Sequence, residues 1–163
     1  MSIGYACINM ELSYPQKYGG KERGVKPITT NRTMIRRTFD EKGVDYVSEL
    51  TLQNTKDLNE IISWNVLNGY NFFRLSSGLA PWKTEYEWDD LKDMDEIRQW
   101  FHSAGTMAKT HNVRLTSHPG PFNVLVSPHD HVVDNCIKDL TIHGDEFDMM
   151  GLSRTPYNKI NIH

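Results

Sequence analysis

The sequence has few cysteines and no long apolar run, and these two absences narrow the class of protein. Two cysteines in 163 residues cannot form a disulfide framework, so we interpret Cys7, in a predicted strand, and Cys136, in a predicted helix, as small buried side chains. No apolar stretch approaches the roughly 18 residues of a membrane span. Residues 1–5 also lack the charged and apolar regions of a signal peptide. We therefore expect a cytoplasmic protein with no membrane partner.

Three common catalytic signatures are also missing. The chain has no G-x-G-x-x-G after its first predicted strand, no G-x-S-x-G and no C-x-x-C. The first absence weighs against a dinucleotide-binding fold, and the others weigh against a serine hydrolase elbow and a redox dithiol. With 38% hydrophobic residues, residues 1–163 have the length and composition of a single domain with a buried core.

Charge is unevenly distributed although the net charge is only −3. Residues 17–37 contain seven basic side chains and one acidic one, whereas residues 85–96 contain seven acidic side chains and one basic one. A local basic cluster can bind phosphates while the whole chain stays acidic. Charge alone also fits two solvated surface segments, so the interpretation depends on where the fold places the basic cluster.

Hydrophobic periodicity predicts alternating strands and helices. Strands are predicted at 3–10, 71–76, 113–117 and 159–163, and helices lie between 40 and 68, from about 95 to 111 and from 127 onward. A loop of about 11–38 follows the first strand and carries the basic cluster, and such a length is typical of functional or disordered loops. The alternation predicts an α/β fold with a parallel sheet, either open or forming half of an eight-stranded barrel.

The last helix has a clear predicted start and a predicted buried face. Ser127 can cap it, and Pro128 suits the first helical position. Five residues are predicted to face the core, namely Val133, Cys136, Ile137, Leu140 and Phe147.

Two histidines end predicted parallel strands, which makes them candidate metal ligands. His118 follows the third strand and His163 ends the fourth. Neighbouring parallel strands lie about 4.8 Å apart, so side chains at their carboxyl ends can share a metal ion. Alternatively, His118 closes a turn and His163 is only a terminus. His129 and His131 form a weaker candidate, because two residues apart on a helix their side chains are expected to diverge.

Five blocks of the sequence resemble UV damage endonucleases, in the order of that family. The blocks are Gly4-Tyr5-Ala6-Cys7-Ile8-Asn9, Thr29-Thr30-Asn31-Arg32-Thr33, the helix positions Asn54, Asp57, Leu58, Ile61, Asn65 and Gly69, then Phe73-Arg74-Leu75-Ser76-Ser77 with Pro81, and Ser117-His118-Pro119-Gly120. Any single block is weak, but the ordered set is specific and covers most of the chain.

The resemblance implies a TIM (β/α)8-type barrel, of which this chain supplies about the first four strands and three helices. It implies an endonuclease that incises DNA 5′ to pyrimidine dimers, 6-4 photoproducts and some abasic sites. The implied cofactor is a cluster of divalent metal ions, with manganese as the expected ion, that would assist phosphodiester hydrolysis. His118 and His163 would be metal ligands, and Tyr5 and Asn9 would be catalytic residues on the DNA-facing side.

The resemblance further implies DNA contacts by Asn31, Arg32, Arg74, Pro121 and Phe122. The last two depart from the family, which typically has Gln and Tyr after His-Pro-Gly. Phe122 keeps an aromatic face for stacking on bases, whereas the hydrogen bonds of a Gln are lost at Pro121.

The remaining ligands of the family come from strands beyond the fourth, so we expect an N-terminal fragment, a truncated product or one part of a split gene. We expect little or no nuclease activity from this chain alone. Exposed strand edges would then favour self-association or completion by a C-terminal half. Two other functions stay open, namely a sugar isomerase or epimerase on the same barrel and a non-catalytic fragment that binds DNA. A basic loop beside the catalytic edge favours DNA as the substrate over a sugar.

Overall fold

The computed structural model describes residues 2–162, which alternate between short strands and longer helices. The strands are β1 (Gly4–Ala6), β2 (Phe72–Arg74) and β3 (Arg114–Thr116). The helices are α1 (Met10–Ser13), α2 (Arg36–Leu67), α3 (Met94–Thr110) and α4 (Asp130–Met149), with short 3-10 helices at Lys83–Glu85 and Trp88–Asp90. The predicted α/β class and the order of the long elements are confirmed. No helix among residues 2–162 is long and apolar enough to cross a membrane.

The three strands form a parallel sheet in the order β1-β2-β3. Phe73 in the central strand is in register with Tyr5 on one side and Leu115 on the other. Phe73 and Leu115 are fully buried in one apolar core with side chains of α2, α3 and α4. The long helices therefore cover this face of the sheet. Strands that pair in chain order differ from a Rossmann sheet, in which the strand order reverses.

The opposite face of the sheet carries Ala6, Arg74 and Thr116, which are also in register. Ala6 is solvent-exposed and Arg74 is half-buried there, whereas Thr116 at the third strand is buried. The core that holds the long helices lies on the other side. We call this surface the uncovered face. Parallel sheets normally bury both faces, so an uncovered face is unusual for this class of sheet.

The predicted fourth strand is wrong in its extent within the described residues. Ile160 makes a single parallel bridge to Ser117, with hydrogen bonds of 3.0 Å from the Ser117 amide to the Lys159 carbonyl and 2.9 Å from the Asn161 amide to the Ser117 carbonyl. The segment thus lies beside β3 in the predicted direction. Among residues 2–162 no further strand pairs with its outer side, so the ladder is not extended. His163 lies outside the described residues.

The first strand ends earlier than the periodicity predicted. β1 stops at Ala6, and Cys7 adopts a left-handed backbone with a φ of 61°. Cys7 is therefore a half-buried residue of the carboxyl edge, which corrects its assignment to a buried strand. Asn9 then caps α1 by accepting a hydrogen bond from the Leu12 amide at 3.0 Å. The predicted loop of 11–38 is accordingly shortened to 14–35.

The second helix begins before the predicted range and is bent. α2 starts at Arg36, and its regular geometry breaks at Gly43, where φ is 65° and ψ is −162°. An L-residue with a side chain is strained in this conformation, whereas glycine adopts it freely. The amphipathic pattern identified only the part after Gly43, because the first turns carry mainly exposed charged residues.

The last helix also starts later than predicted. Its first residue is Asp130, and Ser127 accepts a hydrogen bond from the His129 amide at 3.2 Å rather than capping the helix. Cys136 and Phe147 are buried as predicted, whereas Ile137 is 53% exposed. Ile137 faces solvent because the helix contacts the rest of the fold along the side of Cys136, His143 and Phe147.

Candidate functional site

The candidate site lies at the carboxyl edge of the sheet, where the residues that follow each strand come together. Asn31 joins the first two strand ends, because its side-chain amide donates to the Cys7 carbonyl at 3.3 Å and its side-chain oxygen accepts from the Ser76 hydroxyl. The Leu75 amide donates to the Thr116 carbonyl at 2.8 Å and ties the second strand end to the third. Loops at this edge of parallel sheets commonly bind ligands.

Two buried side chains of α2 hold the long loop that carries Asn31. Asn54 accepts from the Arg32 amide at 3.1 Å and donates to the Arg32 and Leu79 carbonyls, both at 3.0 Å. Asp57 accepts from the Thr29 amide at 2.8 Å. Both residues are at most 5% exposed. Their contacts fix the loop against the helix layer, so Asn31 reaches the strand ends in one defined position.

Arg32, a predicted DNA contact, points into this support. Its guanidinium lies 2.6 Å from the Asp57 carboxylate and donates to the carbonyls of Thr29 and Pro27 at 2.5 and 2.9 Å. The side chain is 25% exposed. These contacts stabilise the loop that carries Asn31, and DNA binding by Arg32 stays a prediction.

Tyr5 and Asn9 form one hydrogen-bonded cluster with α2. The Tyr5 hydroxyl donates to the Asn65 side-chain oxygen at 2.5 Å and accepts from the Asn9 amide at 2.8 Å. The Tyr5 ring packs edge-on against Trp64 and Tyr70, with centroid distances of 6.5 and 5.6 Å. The phenol therefore lies on the helix side of the sheet. A cavity of about 220 Å³ borders the cluster.

Burial raises the pKa of Tyr5 to about 12, because removing the phenolate from water costs more than the hydrogen bonds between the Tyr5 oxygen and the side chains of Asn9 and Asn65 return. Tyr5 is therefore a neutral hydrogen-bond donor at physiological pH. The catalytic roles predicted for Tyr5 and Asn9 stay predictions.

His118 lies directly after β3, half-buried, beside a buried cluster that the sequence did not indicate. The Ser117 hydroxyl is 3.0 Å from His143 Nδ1, which is 3.3 Å from a Glu146 carboxylate oxygen. Ser117, His143 and Glu146 are each at most 1% exposed. Because hydroxyl and carboxylate both face Nδ1, this is not a catalytic triad, in which they face opposite ring nitrogens. The cluster fixes the backbone next to His118.

Burial and mutual contact shift the pKa values of both His143 and Glu146. Burial raises the pKa of Glu146, since the carboxylate loses its hydration. Burial by itself lowers the pKa of His143, but the hydrogen bond and the charge of Glu146 outweigh it and raise that pKa overall. The contact with Glu146 holds the imidazole beside the Ser117 hydroxyl.

The three remaining predicted DNA contacts differ in exposure. Arg74 is half-buried on the uncovered face. Pro121 is exposed after the third strand, and Phe122 beside it is 86% exposed. An aromatic ring this accessible is available for stacking on a base, as the sequence predicted, although its contact with DNA stays a prediction.

The described residues do not fit a complete metal centre. Within 2–162, no group of three His, Cys, Asp or Glu side chains could hold a metal ion. Protein metal centres usually take at least three such ligands. His118 is the one predicted ligand that the structure describes. The metal assignments of His118 and His163 therefore stay predictions that need further ligands.

The His129–His131 pair corrects one geometric prediction. The two rings stack with centroids 5.8 Å apart and planes at 27°, although the helical spacing was expected to separate them. The expectation was wrong because His129 precedes the helix with an extended backbone, at φ −109° and ψ 115°.

The basic loop divides into two parts. Arg36 pairs with Asp40 at 2.9 Å and with Glu85 at 3.2 Å, and Arg37 pairs with Glu41 at 3.1 Å. Some acidic residues of segment 85–96 likewise form ion pairs with basic residues elsewhere in the fold. Four basic residues of the loop are exposed and form none of the ion pairs among residues 2–162, namely Lys17, Lys21, Arg23 and Lys26. These four define the basic surface, which belongs to the same loop as Asn31.

A parallel sheet wound in chain order, with Asn31 joining the strand ends at its carboxyl edge, is the arrangement in which α/β proteins commonly place their ligand sites. The chain belongs to the family described as UV-endonuclease UvdE, which matches residues 1–163. The family predicted from the five sequence blocks is confirmed.

Named relatives and a crystal structure agree with this assignment. A putative UV-damage endonuclease of Acanthamoeba polyphaga mimivirus is 32% identical over 162 residues, which are 99% of this chain and 46% of that protein. A UV DNA damage endonuclease of Clostridium perfringens is 30% identical over 164 residues, covering 100% of this chain and 35% of that protein. The crystal structure of SacUVDE superposes with a TM-score of 0.76 and 27% identity, covering 100% of this chain and 49% of that one. The chain thus spans about half or less of these proteins.

Proposed function

We propose that this chain is the N-terminal half of a metal-dependent DNA repair endonuclease that incises DNA 5′ to UV photoproducts. The observation that carries the proposal is the family match over residues 1–163. The carboxyl edge supports it, because Asn31 joins the strand ends there. The loop that carries Asn31 also carries the four exposed basic residues, and a DNA backbone requires positive charge beside its binding site. The substrate we propose is damaged double-stranded DNA.

In the proposed site, different residues bind DNA, donate hydrogen bonds and bind the metal ion. Phe122 stacks on bases at the lesion, and the four basic residues of the loop hold the phosphate backbone. Tyr5 stays protonated and is oriented by Asn9 and Asn65. His118 is one ligand of a divalent metal centre, with manganese as the proposed ion, and the other ligands come from residues outside the described set. The described donor set does not complete this centre, so no reaction step is assigned to it.

The proposed whole fold is a TIM (β/α)8-type barrel that this chain fills by about half. The sheet order β1-β2-β3 with all long helices on one face supports this proposal, because a barrel wall has the same winding. The segment around Ile160 continues the wall beside β3. Another polypeptide segment, or a second copy of the chain, would pair with the outer edges of β1 and of this segment.

Plasmid nicking tests the proposed activity. The purified 163-residue chain with Mn²⁺ should give little nicking of UV-irradiated supercoiled plasmid, because the metal centre is incomplete. Fusing it to the part of the Clostridium perfringens relative beyond the matched region should give nicking of irradiated plasmid and not of unirradiated plasmid. His118→Ala in the fusion should abolish this nicking.

Two results would count against the proposal. If a folded fusion binds DNA without nicking it, the chain is a DNA-binding fragment and not part of a nuclease. If the fusion nicks irradiated and unirradiated plasmid equally, the specificity for photoproducts is wrong.

A further inference from the structure

One arginine inside the fold lacks the partner that comparable arginines have. Three arginines are half-buried, namely Arg32, Arg74 and Arg114. Arg32 pairs with Asp57 at 2.6 Å, and the Arg114 guanidinium donates to the Tyr157 and Pro156 carbonyls at 2.6 and 3.2 Å. By contrast, Arg74 Nε is out of contact with solvent and has no hydrogen-bond partner, and no ion pair of residues 2–162 includes Arg74. Such a charge requires a compensating group.

The position of Arg74 shows where that group would come from. Arg74 ends the central strand and lies on the uncovered face between its register partners Ala6 and Thr116. Thr116 is 1% exposed, and its hydroxyl also lacks a hydrogen-bond partner in the described chain. Two unpartnered polar groups thus lie on neighbouring strands, which are about 4.8 Å apart in a parallel sheet.

The position of this pair favours a carboxylate over a DNA phosphate. The Arg74 Nε and Thr116 hydroxyl are out of contact with solvent, and the two residues lie side by side on the sheet face and not in the exposed loops. A parallel sheet is normally covered on both faces, and a segment that covers this face meets the guanidinium. A carboxylate side chain matches the planar guanidinium with two parallel hydrogen bonds.

We propose that Arg74, with Thr116 beside it, is the docking site for a carboxylate side chain of the polypeptide segment that covers the uncovered face. The inference rests on the proposed completion of the barrel and is independent of nuclease activity. It assigns Arg74 to assembly of the fold instead of contact with DNA.

Nuclear magnetic resonance of the 163-residue chain tests the site directly. The guanidinium signals of Arg74 are followed while sodium acetate or inorganic phosphate is added at constant ionic strength. Acetate should shift the Arg74 signals saturably and bind more tightly than phosphate. Arg74→Lys should weaken acetate binding about tenfold, because lysine lacks the planar fork of donors. Arg98→Gln is the matched control, since Arg98 is an exposed arginine paired with Asp89, and it should leave acetate binding unchanged.

Each other result overturns the inference. Tighter binding of phosphate than acetate would assign Arg74 to the DNA backbone, and the absence of saturable binding by both anions would remove the site. If Arg74→Lys does not fold, the titration of the unaltered chain and of Thr116→Val still decides the question, because Thr116→Val should weaken acetate binding. A failed nicking experiment does not affect this titration, which involves neither DNA nor catalysis.

Discussion

Single buried polar side chains position the functional edge of this protein. Asn54 and Asp57 connect the helix layer to the loop, and the loop connects the ends of the first two strands through Asn31. Each contact uses a backbone group that would otherwise be buried without a partner. Side chains of α2 therefore fix the loop at the carboxyl edge, and substitutions in α2 should change the position of that loop.

Asn54→Ala should lower the free energy of unfolding by about 2 kcal/mol. The substitution leaves the Arg32 amide and the Leu79 carbonyl without hydrogen-bond partners. Urea unfolding measures the loss of free energy of unfolding. Asn68→Ala is the control, because the Asn68 side chain is exposed and bonds only to the Trp64 carbonyl. If both substitutions lower the free energy of unfolding equally, the conclusion that Asn54 supports the loop is wrong.

Tyr5 should make the stability of the protein fall at high pH. Its pKa is raised from 10.0 to about 12 in the folded state, so the unfolded chain loses the proton first. The stabilising contribution is complete below pH 10 and is lost as the pH rises towards 12. Tyr5→Phe should therefore show a smaller loss of unfolding free energy over this range than the unaltered chain.

The control for this pH dependence is Tyr157→Phe, because Tyr157 is 51% exposed. Its alkaline stability profile should match that of the unaltered chain. The prediction fails if Tyr5→Phe and the unaltered chain lose stability in parallel above pH 10.

Phe122→Ala should weaken DNA binding without changing stability. The ring is 86% exposed, so its loss should change the free energy of unfolding by less than about 0.5 kcal/mol. Loss of base stacking should weaken binding of UV-irradiated duplex by about 1–3 kcal/mol, measured by fluorescence anisotropy. Val126→Ala, which removes a 93% exposed apolar side chain from the same loop, should leave the affinity unchanged. A similar loss with Val126→Ala would point to general hydrophobic contact.

At the scale of elements, hydrophobic periodicity did not predict where a helix bends or begins, or how closely two helices approach each other. The pattern of apolar residues located all three long helices, but it missed the bend at Gly43 and the late start of α4. At Gly105 of α3, an added Cβ would lie 1.9 Å from the Met150 carbonyl oxygen, so glycine there allows α3 to approach the end of α4 closely. Such contacts depend on which elements meet, and a single sequence does not state this.

Two glycine substitutions in helices should have opposite effects on stability. Gly43→Ala should destabilise the protein by about 1 kcal/mol, because Gly43 has a φ of 65°. Gly144→Ala should stabilise it by about 0.5–1 kcal/mol, since Gly144 lies inside α4 with open space where a Cβ would be. Thermal unfolding measures both. A stabilising Gly43→Ala would mean that α2 is continuous in solution.

At the scale of the whole molecule, the basic residues of the loop and of the start of α2 fall into two groups, one in ion pairs and one exposed. Arg32, Arg36 and Arg37 are paired with acidic side chains, so these three contribute to the fold. The four exposed basic residues from Lys17 to Lys26 form no ion pair within residues 2–162, which supports the proposal that they bind a polyanion.

Changing Lys17, Lys21, Arg23 and Lys26 to Gln together should weaken DNA binding and reduce its salt dependence. The slope of log affinity against log salt should become less negative by about 0.9 for each phosphate contact that is lost. Anisotropy titrations at several salt concentrations measure the slope. A control variant with Arg98→Gln and Lys109→Gln on α3 should keep the original slope. An unchanged slope in the fourfold variant would show that the basic surface does not contact the DNA phosphates.

The sequence by itself determined the α/β class, the order of the long elements, the family and the position of His118 after β3. Hydrophobic periodicity and ordered motifs are local properties, so they can be read along the chain. Only the tertiary structure decided that Asn54 and Asp57 support the loop, that Ser117, His143 and Glu146 form a buried cluster, and that Arg74 Nε lacks a partner on the uncovered face. These features depend on contacts between residues far apart in the chain, and their energies arise from burial, which exists only once the chain is folded.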